Sequence, residues 1–189
     1  RFVDKKGLAI RNGGVYSHIH FFKEDKLMTP VTHYGKTDLL LGLDILEAVR
    51  SIDSRANIRV THPDRTVALV NTHKTPTIMM LTGKEDFDVD TLERVIQSRT
   101  KKGTYYGVDL SYISQHFLGN KLFANLMMLG IAYQRNLLPV SLENLRYGIE
   151  RSVRVGALKE NWFAFELGRR LVIKPGDFQK KKVKTYASV

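Results

Sequence analysis

Between Arg65 and Thr77 (RTVALVNTHKTPT) the chain passes from an unbroken apolar run into a dense group of polar side chains. Residues 66–70 are short, apolar and β-branched without alternation, the pattern of a strand buried on both faces of a parallel sheet. Pro76 ends extended structure there by removing a donor and fixing φ. Strict alternation over residues 15–22 sets Val15, Ser17, Ile19 and Phe21 against Tyr16, His18, His20 and Phe22, which predicts another strand. Residues 37–42 (TDLLLG) predict a short buried strand running into Gly42, and residues 104–108 a further one.

Helical signals alternate with these strands. Asp44 and Glu47, at capping-box spacing, open a helix through Arg50, with Asp53 as its outer limit. Asp90, followed by Glu93, caps a helix over residues 91–99 with Leu92, Val95 and Ile96 inward, closed by Lys101-Lys102-Gly103. Asp109 caps a third through Phe117. From Asn120 onward the pattern is helical: residues 120–135, then 141–149 opening on Ser141, then 161–171 carrying a half-buried Trp162 and closed by Pro175-Gly176. Residues 2–11 read as a helix closed by Asn12-Gly13-Gly14. The βα order predicts an α/β class: three-layer α/β/α, with a mostly parallel or mixed sheet and a helical C-terminal part.

Composition narrows the function. With 189 residues, 43% hydrophobic and 26% charged, the chain suffices for one substantial core. It has no cysteine, which excludes disulfides, cysteine nucleophiles and iron–sulfur clusters held by this chain alone. No apolar run approaches the roughly 20 residues that cross a bilayer, and no signal segment opens the chain, so no membrane partner and a cytoplasmic location are expected. The net charge of +11 raises nucleic acid as a partner. However, Lys180, Lys181, Lys182 and Lys184 crowd into residues 179–189, a basic tail or linker, and no helix carries a basic stripe with interleaved aromatics. No nucleic-acid partner is expected.

Candidate chemistry follows the buried strand. Asn71, Thr72, His73, Lys74 and Thr75 stand where ligands of open α/β sheets bind, outside a strand's carboxyl end. The same residue types also build ordinary turns, and both readings stay open on local sequence. His18 and His20 share a strand face, but no third ligand is spaced to join them, so a hydrogen-bonded role is expected and no metal site. Gly42 before a helix N-terminus reads first as a structural turn; the backbone N–H groups there are also open to an anion, with Asp44 competing for them.

Taken in order, residues 7–21 (GLAIRNGGVYSHIHF), 38–48 (DLLLGLDILEA), 65–77, 120–149 (NKLFANLMMLGIAYQRNLLPVSLENLRYGI) and 160–171 (ENWFAFELGRRL) resemble one family. It is the gamma subunit or domain of the thiamine-dependent 2-oxoacid:ferredoxin oxidoreductases, most closely the indolepyruvate form. The resemblance implies a gamma-type catalytic domain over residues 1–178, with the family's leading strand and glycine-rich loop missing ahead of Gly7. His20 stands where members tend to carry a basic residue.

The implied activity is oxidative decarboxylation of indolepyruvate or a pyruvate-like 2-oxoacid to an acyl-CoA, with reduction of ferredoxin, only within a larger complex or polypeptide. Thiamine diphosphate, Mg and iron–sulfur clusters are implied in partner domains, with none bound by this chain alone, and coenzyme A as co-substrate. The implied partners are thiamine-binding alpha and beta subunits or domains and a ferredoxin-type acceptor. Asn71, Thr72, His73, Lys74 and Thr75, with Ser17, His18 and Gly42, are the candidates to face substrate or cofactor, Lys74 or His73 offsetting charge on a carboxylate or coenzyme A phosphate. The alternative is a stand-alone α/β module that binds a small molecule or nucleotide without redox activity.

Overall fold

The structure is a computed structural model and describes residues 2–6, 15–22, 29–53, 59–76, 78–83 and 86–178. Its first strands, β1 (Phe2–Lys6) and β2 (Val15–Ile19), pair antiparallel with Phe2 opposite Ile19 and Lys6 opposite Val15. Residues 2–6 are therefore extended, not the start of the helix expected over residues 2–11. Phe2 and Val3 are β-prone, and a partner strand decides the conformation of so short a run. The Asn12-Gly13-Gly14 helix end lies outside the described residues, as does the basic tail.

The central sheet is parallel, with β3 (Leu39–Gly42), β4 (Val67–Asn71) and β5 (Tyr105–Val108) side by side in that order. Leu39 pairs with Val67 and Val70 with Gly107. β4 is the shared wall: Ala68, Leu69 and Val70 are each 0% exposed. Burial of a side chain such as Leu69 contributes roughly 1.5–3 kcal/mol.

Alternation along β4 sends its side chains into two cores. Ala68 and Val70 pack with Ile45, Ala48 and Ile52 around α1 (Ile45–Arg50) and with Ile96 of α3 (Val89–Ser98). A short helix, α2 (Ile78–Leu81), precedes α3. Leu69 faces the other way, into Leu110 and Ile113 of α4 (Leu110–Leu118), Met127, Met128 and Ile131 of α5 (Ala124–Gln134), and Ala164 and Leu167 of α7 (Leu158–Ile173). Between α5 and α7 lies α6 (Leu142–Ser152), capped by Ser141 as the sequence predicts. With helices on both faces of a parallel sheet, the architecture is three-layer α/β/α.

The helix starts show which caps win. The Asp44 carboxylate accepts from the Leu46 and Glu47 N–H groups at 2.8 and 3.2 Å, but Glu47 does not complete the capping box. Glu47 pairs with Arg50 instead. It also lies beside Tyr16 of β2, whose phenol burial and the Glu47 carboxylate push up in pKa, in that order. This contact ties the hairpin to α1. For α3 the cap is Asp88, accepting from Thr91 N–H at 3.0 Å, and not Asp90, which falls in the first turn. Trp162 is half-buried on α7 and stacks on Phe165 at 5.1 Å between ring centres.

Candidate functional site at the carboxyl edge of the sheet

β4 and β5 end together at Asn71 and Val108, and Thr72 N–H extends the pairing by one bond to the Val108 carbonyl at 3.0 Å. The polar residues after β4 are thereby held against the loop that starts α4. Asn71 is 6% exposed and points inward. Its amide donates to the Leu43 carbonyl at 3.2 Å and to Ser111 Oγ at 2.9 Å. Its oxygen accepts from Leu110 N–H at 2.9 Å and from the Ser111 and His73 N–H groups at 3.4 Å. Both amide protons are used and the oxygen is shared among backbone donors, so Asn71 clamps the ends of β3, β4 and α4 together.

His73 stands just beyond this clamp. Its Nδ1 lies 3.0 Å from Asp109 Oδ1, across 36 positions of sequence. The same Asp109 oxygen accepts from Tyr112 N–H at 2.8 Å, capping α4 as the sequence predicts. The His73 side chain is 30% exposed and that of Asp109 42%. Lys74 turns aside: its ammonium is 2.6 Å from Asp86 Oδ1 and 5.0 Å from the centre of the Phe87 ring. The lysine, followed by the Phe87 N–H, holds the Asp86 carboxyl below the usual carboxylate range. Thr72 is half-buried and Thr75 exposed.

The remaining candidates divide. Gly42 is buried under α1: a Cβ there would lie 2.8 Å from the Ala48 Cβ and 3.2 Å from Val70 Cγ2. Glycine at this position lets the helix approach the strand, while Asp44 takes the N–H groups an anion would need. Ser17 and His18 belong to the hairpin sheet. His18 Nδ1 accepts from Thr32 N–H at 3.3 Å, and His20 Nε2 lies 3.1 Å from Thr32 Oγ1, so both histidines hold residues 29–33 against the hairpin. The structure thus brings Asn71, Thr72, His73 and Lys74 to one edge, with Gly42 beside them packing against α1, and sets Ser17 and His18 in the hairpin sheet.

Asp109 and Ser111 complete the edge. Sequence reasoning read Asp109 only as a helix cap and did not single out Ser111, because their partners lie on a different strand. An apolar rim adjoins them: Leu43 is 51% and Tyr112 40% exposed. Along α4 the rim continues as Tyr112 stacked on His116 at 6.1 Å, His116 edge-on to Phe117 at 5.0 Å, and Phe117 against Phe178 at 5.3 Å. A carboxylate-held imidazole, an ammonium and exposed aromatic surface can bind and orient a polar group delivered by another molecule.

A family model described as pyruvate ferredoxin/flavodoxin oxidoreductase matches residues 2–171. No curated protein matches the chain. Among the described residues no helix is long and apolar enough to cross a membrane.

Proposed function

The chain belongs to the pyruvate ferredoxin/flavodoxin oxidoreductase family, and from that premise we propose that it is the gamma-type part of a thiamine-diphosphate-dependent 2-oxoacid:ferredoxin oxidoreductase. In this reading it takes part in oxidative decarboxylation of indolepyruvate or a pyruvate-like acid to an acyl-CoA, passing electrons to a ferredoxin-type acceptor. It works in the cytoplasm within a multi-subunit complex or a longer polypeptide. The observation that carries the reading is the gathering of His73, Lys74 and Asp109 at the carboxyl edge of a parallel sheet, in a chain whose family match spans almost its whole length.

We place thiamine diphosphate with its magnesium, and the iron–sulfur clusters, outside this chain. There is no cysteine to ligate iron. Among the described residues no three His, Asp or Glu side chains gather around one point. We assign these groups to the thiamine-bearing subunits or domains. What remains for this chain is to bind, orient and exclude water. His73 and Lys74 face the thiamine-bearing partner from the edge, Asn71 and Thr72 hold the loop that carries them, and Thr75 lies at its outer end. Ser17 and His18, on the hairpin, face the same partner in this reading.

The test is made in the assembled enzyme. Replacing His73 and Lys74 together by alanine is expected to lower 2-oxoacid-dependent acceptor reduction by at least tenfold while the subunits still co-purify, since loss of a positioned polar group typically costs about 10²–10³ in rate. Unchanged turnover removes the assignment of this edge.

A further inference from the structure

We propose that Asp109 is a positioning residue for His73, holding the imidazole in the one tautomer that makes its Nε2 a proton acceptor for a thiol presented at the sheet edge. The inference rests on reading this edge as the surface that meets the thiamine-bearing partner and co-substrate. It adds a residue and a direction of proton movement to that reading.

The argument begins with what a carboxylate can do. Ionised aspartate only accepts, so the 3.0 Å approach of His73 Nδ1 to Asp109 Oδ1 requires the hydrogen to sit on Nδ1. In a neutral imidazole the other nitrogen then carries a lone pair. Nε2 of His73 has no partner among the described residues, and the side chain is partly open to solvent. The ring is therefore presented as a base.

Its mounting is rigid at both ends. His73 N–H donates to Asn71 Oδ1 at 3.4 Å, and Asn71 is itself fixed to α4 and to Leu43. Asp109 Oδ1 is anchored by Tyr112 N–H at 2.8 Å. That cap is complete without the histidine, so the second bond to the same oxygen serves the imidazole and not the helix. The one neighbouring cation on this loop, Lys74, is engaged by Asp86, which leaves the Asp109 charge to act on His73.

The acidity of the donor selects its class. A thiol, ordinarily near 8.5, lies about two units from imidazole and can hand over its proton as a step of its own, whereas an alcohol yields its proton to imidazole only in concert with attack on an electrophile. In the step proposed, the S–H bond breaks and its proton moves to Nε2. The electron pair stays on sulfur as a thiolate, and the imidazolium keeps its Nδ1 hydrogen on Asp109, whose charge offsets the new positive charge. No electron is exchanged in this step.

Asp109→Ser separates positioning from capping, because serine caps a helix well but is too short to reach the ring. In the intact protein labelled with 15N-histidine, wild-type His73 is expected to show a protonated Nδ1 and an unprotonated Nε2 near neutral pH. Asp109→Ser is expected to move it toward the Nε2-protonated form with an unchanged melting midpoint. In the assembled enzyme, Asp109→Ser is expected to lower kcat about tenfold, within the range of general-base contributions, with the KM for the 2-oxoacid within about twofold. A wild-type ring protonated on Nε2 overturns the inference. So does full activity in Asp109→Ser where His73→Ala is impaired, and that result leaves the reading of the edge standing. Full activity in both variants removes that reading and the proton-acceptor role with it.

Discussion

Gly130 on α5 and Gly168 on α7 mark the place where two helices touch backbone to backbone. A Cβ at Gly130 would run into the Phe165 carbonyl oxygen, and one at Gly168 into that of Met127. Because neither helix carries a side chain at the crossing, Met127, Met128, Ala164 and Leu167 close around it against Leu69. Gly130→Ala and Gly168→Ala are each expected to destabilise the fold by about 1–3 kcal/mol through overpacking. The double variant is expected to cost less than the sum, because both force the same two helices apart. Urea midpoints of the three variants check this.

Asn71→Asp tests the clamp at the carboxyl edge. The substitution keeps shape but replaces two donors by an acceptor, setting a carboxylate oxygen against the Leu43 carbonyl, while the Ser111 hydroxyl can turn to donate. A loss of roughly 2–4 kcal/mol is expected, larger than for Asn71→Ser, because a buried charge facing a carbonyl costs more than a missing hydrogen bond. Chemical denaturation at neutral pH is the measurement.

A pH response is expected from Tyr105. Its hydroxyl donates to Glu93 Oε1 at 2.8 Å. Burial, then the Glu93 carboxylate, push the phenol well above its ordinary value. A raised folded value gives stability that is complete below the unfolded tyrosine value near ~10 and declines as pH rises beyond it. Wild-type protein is therefore expected to lose melting temperature more steeply above that pH than Tyr105→Phe, although Tyr105→Phe is less stable at neutral pH for want of a partner to Glu93. Gly107 leaves the room this pair occupies, since a Cβ there would collide with the Glu93 carboxylate and the Tyr105 hydroxyl.

The Lys74–Asp86 pair is expected to matter for binding and not for stability. The lysine side chain is 38% and the aspartate 72% exposed, and ion pairs so wet add little to a fold. The lowered Asp86 value means the pair persists through neutral pH and is lost only as pH falls through that value. Asp86→Asn should leave the melting temperature unchanged and free the ammonium. In the assembled enzyme it is expected to lower the KM for an anionic co-substrate, and Lys74→Ala to raise it. Parallel shifts in the two variants would contradict a charge role.

The features legible in the sequence are those set by neighbours a few residues apart. The three parallel strands, the caps at Asp44, Asp109 and Ser141, and the helical C-terminal part follow from short-range pattern and hold. Residues 2–6 escaped because antiparallel pairing with residues 15–19 outweighs a weak helical pattern. Asp88 displaced Asp90 as a cap because both precede the same apolar stripe, and only backbone geometry at residue 88 separates them. At the site, position along the chain predicted that residues 71–75 gather at a strand end, but not which way they point. The inward turn of Asn71 and the capture of His73 by Asp109 depend on residues 36 to 40 positions away, beyond the reach of any periodicity. Gly42 left two readings open because a glycine that admits a helix and a glycine that admits a phosphate read alike, and the structure bears out the packing one.

With this edge as the docking surface, as proposed above, the clamp made by Asn71 has a thermodynamic consequence for assembly. A loop that must be frozen when two proteins meet subtracts its lost disorder from their affinity. Here the strand end beneath His73 is already immobilised by bonds to Leu43, Leu110 and Ser111, so docking leaves little conformational freedom there to surrender. Contacts made by that edge can therefore go into binding strength and lifetime of the complex, and not into organising the loop that makes them.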